Sequence, residues 1–338
     1  MKPRDVEIDL TKGILTVGMV FSHTVQFLAE NPNKLFIFIS QLTDLVSFSG
    51  FLFCFGFAAW LAYLQVPQRP WLRIFRTVLK FYLAFIISGV AFRVLVNSST
   101  PGLTLLADIA TLRDTPPYSE FILAFAVIIL LGAFFQRVVV FSTRGWRPFM
   151  TATAICLAFT FLPIEIRYVP LVGQLIGGQG FITYPAIQYL PLFLLGVFRA
   201  RQPEQFNLRL YFLAAVAGVL LFITRILFDL SWTRYPPSAG WILCSAGVFF
   251  FYYWFAHIVH AKFPNLIQKY LNGVGQNVLT YLLLSNLVLF ICHPLGLTKA
   301  LNTTQTFVCF VLLMGFILFL QFIIVDLKRT NQSMDQNG

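Results

Sequence analysis

The chain has 338 residues and a formal charge of +11, and it is 58% apolar with only 11% charged residues. Soluble domains run near ~25% charged, so this composition excludes a water-soluble globule and makes lipid the solvent of most of the surface. The positive charge does not point to nucleic acid, because Lys and Arg stand in short connections between apolar runs rather than on an aqueous face.

Ten apolar runs follow in chain order, near 13–30, 45–64, 77–96, 120–141, 149–163, 183–198, 208–230, 239–261, 274–295 and 304–325. Most approach the ~20 residues that a bilayer-crossing helix needs. The pattern predicts an all-α, polytopic bundle of about ten spanning helices in one domain, 1–327, with a polar, frayed tail at 328–338. The first run lacks a small-residue cleavage pattern and reads as a retained helix. The fifth and sixth runs are short. Between and within them stand Pro163, Pro170, Gly173, Gly177, Gly178, Gly180, Pro185 and Pro191, which predict a re-entrant or broken segment.

Basic residues set the orientation, since positive loops stay on the cytoplasmic side. Lys2, Arg4 and Lys12 precede or open the first helix; Arg69, Arg73, Arg76 and Lys80 follow the second; Arg137, Arg144 and Arg147 follow the fourth. Arg199, Arg201 and Arg209, then Lys262 and Lys269, then Lys328 and Arg329 complete the set. Seventeen of the twenty-four basic residues thus occupy alternate connections, against scattered ones such as Lys34, Arg113, Arg167, Arg234 and Lys299. Both termini are predicted to be cytoplasmic, in a cell membrane such as the bacterial inner membrane.

The first helix carries an unusual polar face. At ~100° per residue, Lys12, Thr16, Met19, His23 and Gln26 share one stripe, with Asp9 a turn below. At ~1.5 Å per residue His23 lies ~16 Å beyond Lys12, which puts the imidazole near the bilayer midplane and Lys12 at the cytoplasmic mouth. A midplane histidine is either a neutral core residue bonded to a neighbouring helix or a functional group facing a cavity. Arg73, Arg76 and Lys80 share a second face, at the start of the third helix. They read either as an anchor to anionic headgroups or as a phosphate site of the kind that coenzyme A would fill.

Other polar positions are less specific. Arg225 and Asp229, four apart, predict a structural ion pair. His257 and His260 lack the accompanying ligands that a metal site needs, and none is expected. Asn277, Thr280, Tyr281, Ser285 and Asn286 make the ninth run polar, for bonding between helices or for lining a cavity. His293 reads as interfacial. Cys54, Cys156, Cys244, Cys292 and Cys309 have no disulfide or zinc spacing and read as packing residues. Phosphate loops, nucleophile elbows and zincin motifs are all missing.

Asp9-x-x-Lys12-Gly13 with His23, the Phe51 to Phe57 run containing Gly56, and Arg73-x-x-Arg76 together resemble the acyltransferase 3 family. Tyr189 to Gly196 and Gly275-Gln-Asn277-Val-Leu-Thr-Tyr281 are similar to later parts of it, so the resemblance runs along most of the chain. Asp44-Leu-Val-Ser-Phe and Tyr235-Pro-Pro-Ser238 resemble the related heparan-α-glucosaminide N-acetyltransferase-like proteins. The chain departs in having Lys12 where the family usually has Arg, which costs a bidentate fork, and Asn286 near a frequent His.

The resemblance implies transfer of an acyl group, acetyl or succinyl, from cytosolic acetyl-CoA or another acyl-CoA to a hydroxyl of an extracytoplasmic or lipid-linked glycan. Arg73, Arg76 and Lys80 would hold the donor, assisted by Lys12. His23 would be general base or acyl carrier, with Asp9 anchoring the charged mouth. Some relatives carry a further esterase-like domain, for which this chain leaves no room. It would act alone or pass the acyl group to a separate glycan-assembly protein. The competing expectation is a transporter or flippase for an envelope glycan precursor; a non-catalytic scaffold comes last.

Overall fold

The computed structural model describes residues 5–66, 68–162, 170–177 and 184–335, the side chains of 170, 171 and 324–335 excepted. Lys2, Arg4, Pro163, Arg167, Gly178 and Gly180 lie outside them, as do the side chains of Lys328 and Arg329. The described residues form helices α1 (Val6–Leu28), α2 (Lys34–Ala59), α3 (Trp71–Leu95), α4 (Leu103–Ala110), α5 (Glu120–Phe134), α6 (Gln136–Ser142) and α7 (Trp146–Ala158). They continue with α8 (Pro170–Ile176), α9 (Ala186–Arg201), α10 (Leu208–Leu227), α11 (Ala239–Lys262), α12 (Asn265–Gln276), α13 (Val278–Cys292) and α14 (Thr303–Asp335). The protein is an all-α membrane protein.

Among the described residues, five helices are long and apolar enough to cross a bilayer, and two bent pairs bring the number to seven. The bent pairs are α5 with α6, turned by 87°, and α12 with α13, turned by 80°. Every expected apolar run coincides with a helix or helix pair, but two single runs prove broken. The run at 120–141 bends at Phe135, and the one at 274–295 begins as a separate amphipathic helix that ends at Asn277. Helix α2 starts at Lys34, well before the expected 45, because Asn33 caps it by accepting from the Phe36 amide. The polar Ser40, Thr43 and Asp44 that interrupt its hydropathy face inward or toward partners. The tail expected to fray after Asp326 is helical to Asp335.

Burial separates the centre from the rim. The apolar window of α2 is 72% buried, against 28% for α3 and 22% for α10 and α14. The outward faces of these rim helices carry Leu79, Leu83, Leu213, Leu220, Leu312 and Phe319, a surface that lipid accepts and water does not. Helix α1 is too polar to pass as an apolar span, yet it runs through the interior against α2, α11, α12, α13 and α14. Its Asp9, Thr11, Thr16, Ser22, His23 and Thr24 are all buried there.

Glycines set the closest crossings. A Cβ on Gly13 would lie 2.1 Å from the Leu271 carbonyl oxygen, and one on Gly275 would lie 1.9 Å from that of Asp9, so the α1 and α12 backbones touch. Gly56 and Gly196 make the same reciprocal contact between α2 and α9.

Candidate functional site

The α1–α12 crossing has a direct consequence for the polar residues around it. It holds the break at Gln276–Val278 beside Lys12, and a cleft of about 220 Å³ opens there. Lys12 and Lys80 line it together with Gln276, Asn277 and Thr280, over an apolar wall that includes Phe55, Phe81, Phe125 and Leu282. The first turn of α13 faces this space. Its leading amides have no intrahelical partners and offer donors, while the last carbonyls of α12 end at the same break, so the positive character of the cleft comes from Lys80 and Lys12, which favour an anion or an electron-rich oxygen. Asp9 is buried and pairs with Lys12 at 2.6 Å, fixing the ammonium at the cleft edge.

Not every expected donor residue gathers here. Arg73 and Arg76 are exposed on the first turns of α3 and do not line the cleft; only Lys80 of that face reaches it. Cys54, read from sequence as a packing residue, is buried and stands in the cleft wall.

His23 lies further along α1 and is not part of the cleft lining. Its Nδ1 is 2.9 Å from Asn286 Oδ1, while Asn286 Nδ2 donates to the Tyr118 carbonyl at 3.0 Å. With the amide nitrogen so committed, Asn286 offers its oxygen to the ring. Nδ1 therefore carries the proton, and Nε2 keeps its lone pair. Nε2 has no hydrogen-bond partner among the described residues. The Tyr118 ring meets the imidazole edge to face at 4.9 Å. Tyr118 has φ 65°, a backbone conformation that bulky residues seldom adopt. Leu282 of the cleft wall precedes Asn286 by one turn of α13, a step of ~6 Å along the helix.

A second constellation lies beside His23, and the sequence did not single it out as a site. Arg234, in the α10–α11 connection, pairs with Asp44 of α2 at 2.5 Å and donates to the Tyr184 hydroxyl. Its guanidinium also lies over the rings of Tyr184 and Tyr235, at 5.3 and 5.0 Å. Tyr235 donates to Glu120 Oε1 at 2.9 Å. Burial, with Tyr184 and Glu120 close by, pushes the Tyr235 phenol far up, so it stays protonated as that donor. Glu120 Oε2 and Arg234 Nε are buried without partners among the described residues, whereas the Arg234 and Asp44 side chains remain 28% and 26% exposed. The charges of Asp44 and Arg234 are felt at His23. A charged residue in the α10–α11 connection, a lone Asp interrupting a hydropathy run and a Glu opening another were the available signals.

Several expectations resolve differently. Arg225 sits over the Trp241 ring at 5.0 Å, and no ion pair joins it to Asp229, because the helix ends at Leu227 and Asp229 leaves the helical register at φ 46°. His257 bonds Glu7 at 2.8 Å, and Tyr253 donates to the same carboxylate, tying α1 to α11. His260 lies 3.4 Å from Gln268, and His293 lies 3.0 Å from Thr298. Of the polar residues in the ninth run, Asn277 and Thr280 line the cleft, while Asn286 joins helices. Neither a family model nor a curated protein matches the chain.

Proposed function

We propose that the chain is a membrane-bound O-acyltransferase that moves an acyl group, acetyl in the simplest case, from cytosolic acyl-CoA to a hydroxyl of an extracytoplasmic or lipid-linked glycan. The observation that carries this reading is the polar stripe of α1. It holds Lys12 at an anion-favouring cleft and, ~16 Å further on, a histidine whose tautomer leaves the Nε2 lone pair free to accept a proton. In the proposed topology α1 and α9 cross in the shelter of the more apolar helices and α7 crosses at the rim, giving about ten crossings with both termini cytoplasmic.

The cleft then faces the cytosol. At about 220 Å³ it is smaller than the ~300–1,000 Å³ of ordinary ligand pockets, so it suits the thioester end of the donor, with the nucleotide phosphates outside near Arg73 and Arg76. The α13 amides and Lys12 polarise the thioester carbonyl, and Lys80 and the arginines hold phosphate. His23 Nε2 removes the acceptor hydroxyl proton as that oxygen attacks the carbonyl carbon; the carbon–sulfur bond breaks and coenzyme A leaves as the thiolate. Asp44, Glu120, Arg234 and Tyr235 bind the sugar. Along α13, the Leu282 to Asn286 step is the distance over which donor and base must come together.

The test is transfer from radiolabelled acetyl-CoA to envelope glycans in membranes carrying the protein. Wild-type chain labels glycan, and His23→Ala, inserted at equal level, loses ~10²–10⁴-fold in rate. Full labelling by that variant removes the assignment. The two bent helix pairs also suit a transporter or flippase, whose glycan movement would need no acyl-CoA and would survive His23→Ala.

A further inference from the structure

A second cavity, of about 800 Å³, lies away from the cleft between α5, α6, α7 and α9. Leu131, Val138, Ile155, Leu190 and Leu194 form most of its walls, and Arg144 and Arg147 stand at one end. Helix α7 leads from Arg147 to Ile155, so the apolar part runs for ~12 Å beyond the charges. Both arginines are exposed, and Arg201 is close enough for its charge and that of Arg144 to repel. Among the described residues none of the three is paired with a carboxylate.

The charged end is also built rigidly. Arg201 donates to the Val140 carbonyl and to Thr143 Oγ1, both at 2.6 Å, and lies over the Trp60 ring at 4.8 Å. Gln202 donates to the Arg144 carbonyl at 2.8 Å, and the Arg144 guanidinium stacks on Phe141 at 4.9 Å. Clustered exposed cations without counter-charge raise the local positive potential and draw an anion, and an apolar trough needs no cation at its mouth. Together they match an amphiphile with an anionic head.

We propose that this groove binds an anionic glycerophospholipid, its phosphate between Arg144 and Arg147 and its acyl chains along α7 and α9. Free phosphate satisfies only the arginines, and a zwitterionic lipid cancels part of the attraction that an anionic headgroup supplies near basic side chains. The site does not depend on the acyl-transfer reading.

The full-length protein, purified in a neutral detergent, is titrated with phosphatidylglycerol or phosphatidylcholine and examined by native mass spectrometry. Phosphatidylglycerol is retained at one molecule per chain, roughly thirtyfold more tightly than phosphatidylcholine. Arg144→Ala and Arg147→Ala each weaken retention roughly fivefold with an unchanged melting temperature. Ala152→Trp, which fills the trough and leaves the arginines in place, abolishes it. Equal affinity for the two lipids, undiminished binding in the double arginine variant, or saturation of the site by inorganic phosphate or oleate overturns the proposal.

Discussion

His23 and Asn286 are joined by a single hydrogen bond of 2.9 Å that crosses from the polar stripe of α1 to the middle of α13. Because Asn286 also donates to the Tyr118 carbonyl, the bond fixes both the ring's orientation and its tautomer. Losing a buried partner of this kind costs ~1–3 kcal/mol. Asn286→Ala is therefore expected to lower kcat for acyl transfer roughly tenfold while leaving the dissociation constant for acetyl-CoA unchanged. Measured together, those two quantities separate a positioning role from general unfolding; an unchanged kcat would show that the tautomer is immaterial.

Donor binding should divide unequally among the cations. Lys12 and Lys80 line the cleft, while Arg73 and Arg76 are exposed beyond it. Lys12→Ala is expected to weaken acetyl-CoA binding roughly tenfold, an effect that persists at high salt, whereas Lys80, which lines the cleft but is as exposed as the arginines, should lose its roughly tenfold effect as salt rises. For Arg73→Ala and Arg76→Ala a loss of roughly twofold to fivefold is expected, fading as ionic strength rises, because exposed charges are screened within ~10 Å at 0.1 M. Calorimetric titrations at two salt concentrations would check this.

On the proposed acyl-transfer reading, Glu120 distinguishes the acceptor side from the donor side. Its Oε2 is buried without a partner among the described residues and sits beside the Arg234 cluster, not in the donor cleft. Glu120→Gln keeps the shape but weakens acceptance of a sugar hydroxyl. A rise of roughly fivefold to tenfold in acceptor KM, with acetyl-CoA affinity intact, is the expected result. A change in acetyl-CoA affinity alone would move Glu120 to the donor side.

The glycine crossings predict stability rather than rate. Gly13→Ala and Gly275→Ala each drive a methyl group into a backbone carbonyl and should cost ~1–3 kcal/mol. Gly315→Ala, on α14 with nothing within 4 Å of a new Cβ, should be neutral or slightly stabilising. Thermal unfolding in detergent would show the contrast, and equal melting temperatures for all three would refute the close α1–α12 contact.

Hydropathy was enough to locate the long apolar helices and the membrane environment, because apolar side chains in lipid and the basic residues between them leave a one-dimensional record, but it passed over α4, α8 and most of α12. The ~100° repeat likewise put Asp9, Lys12 and His23 on one face of α1 from sequence alone. Three-dimensional packing decided what those residues meet. Nothing local ties His23 to Asn286, 263 positions away, or sets Arg234 against Asp44 and Glu120. The bends at Phe135 and Asn277 were not read from the sequence either: Gln136-Arg137 and Gly275-Gln276-Asn277 interrupt the apolar runs there, but a polar interruption does not by itself say whether a helix turns or continues. The placement of Lys12 and Lys80 in one cleft, with Arg73 and Arg76 outside it, depends on where the glycine-faced backbones of α1 and α12 touch. That contact is a property of two surfaces together, which a pattern along one strand of sequence does not encode.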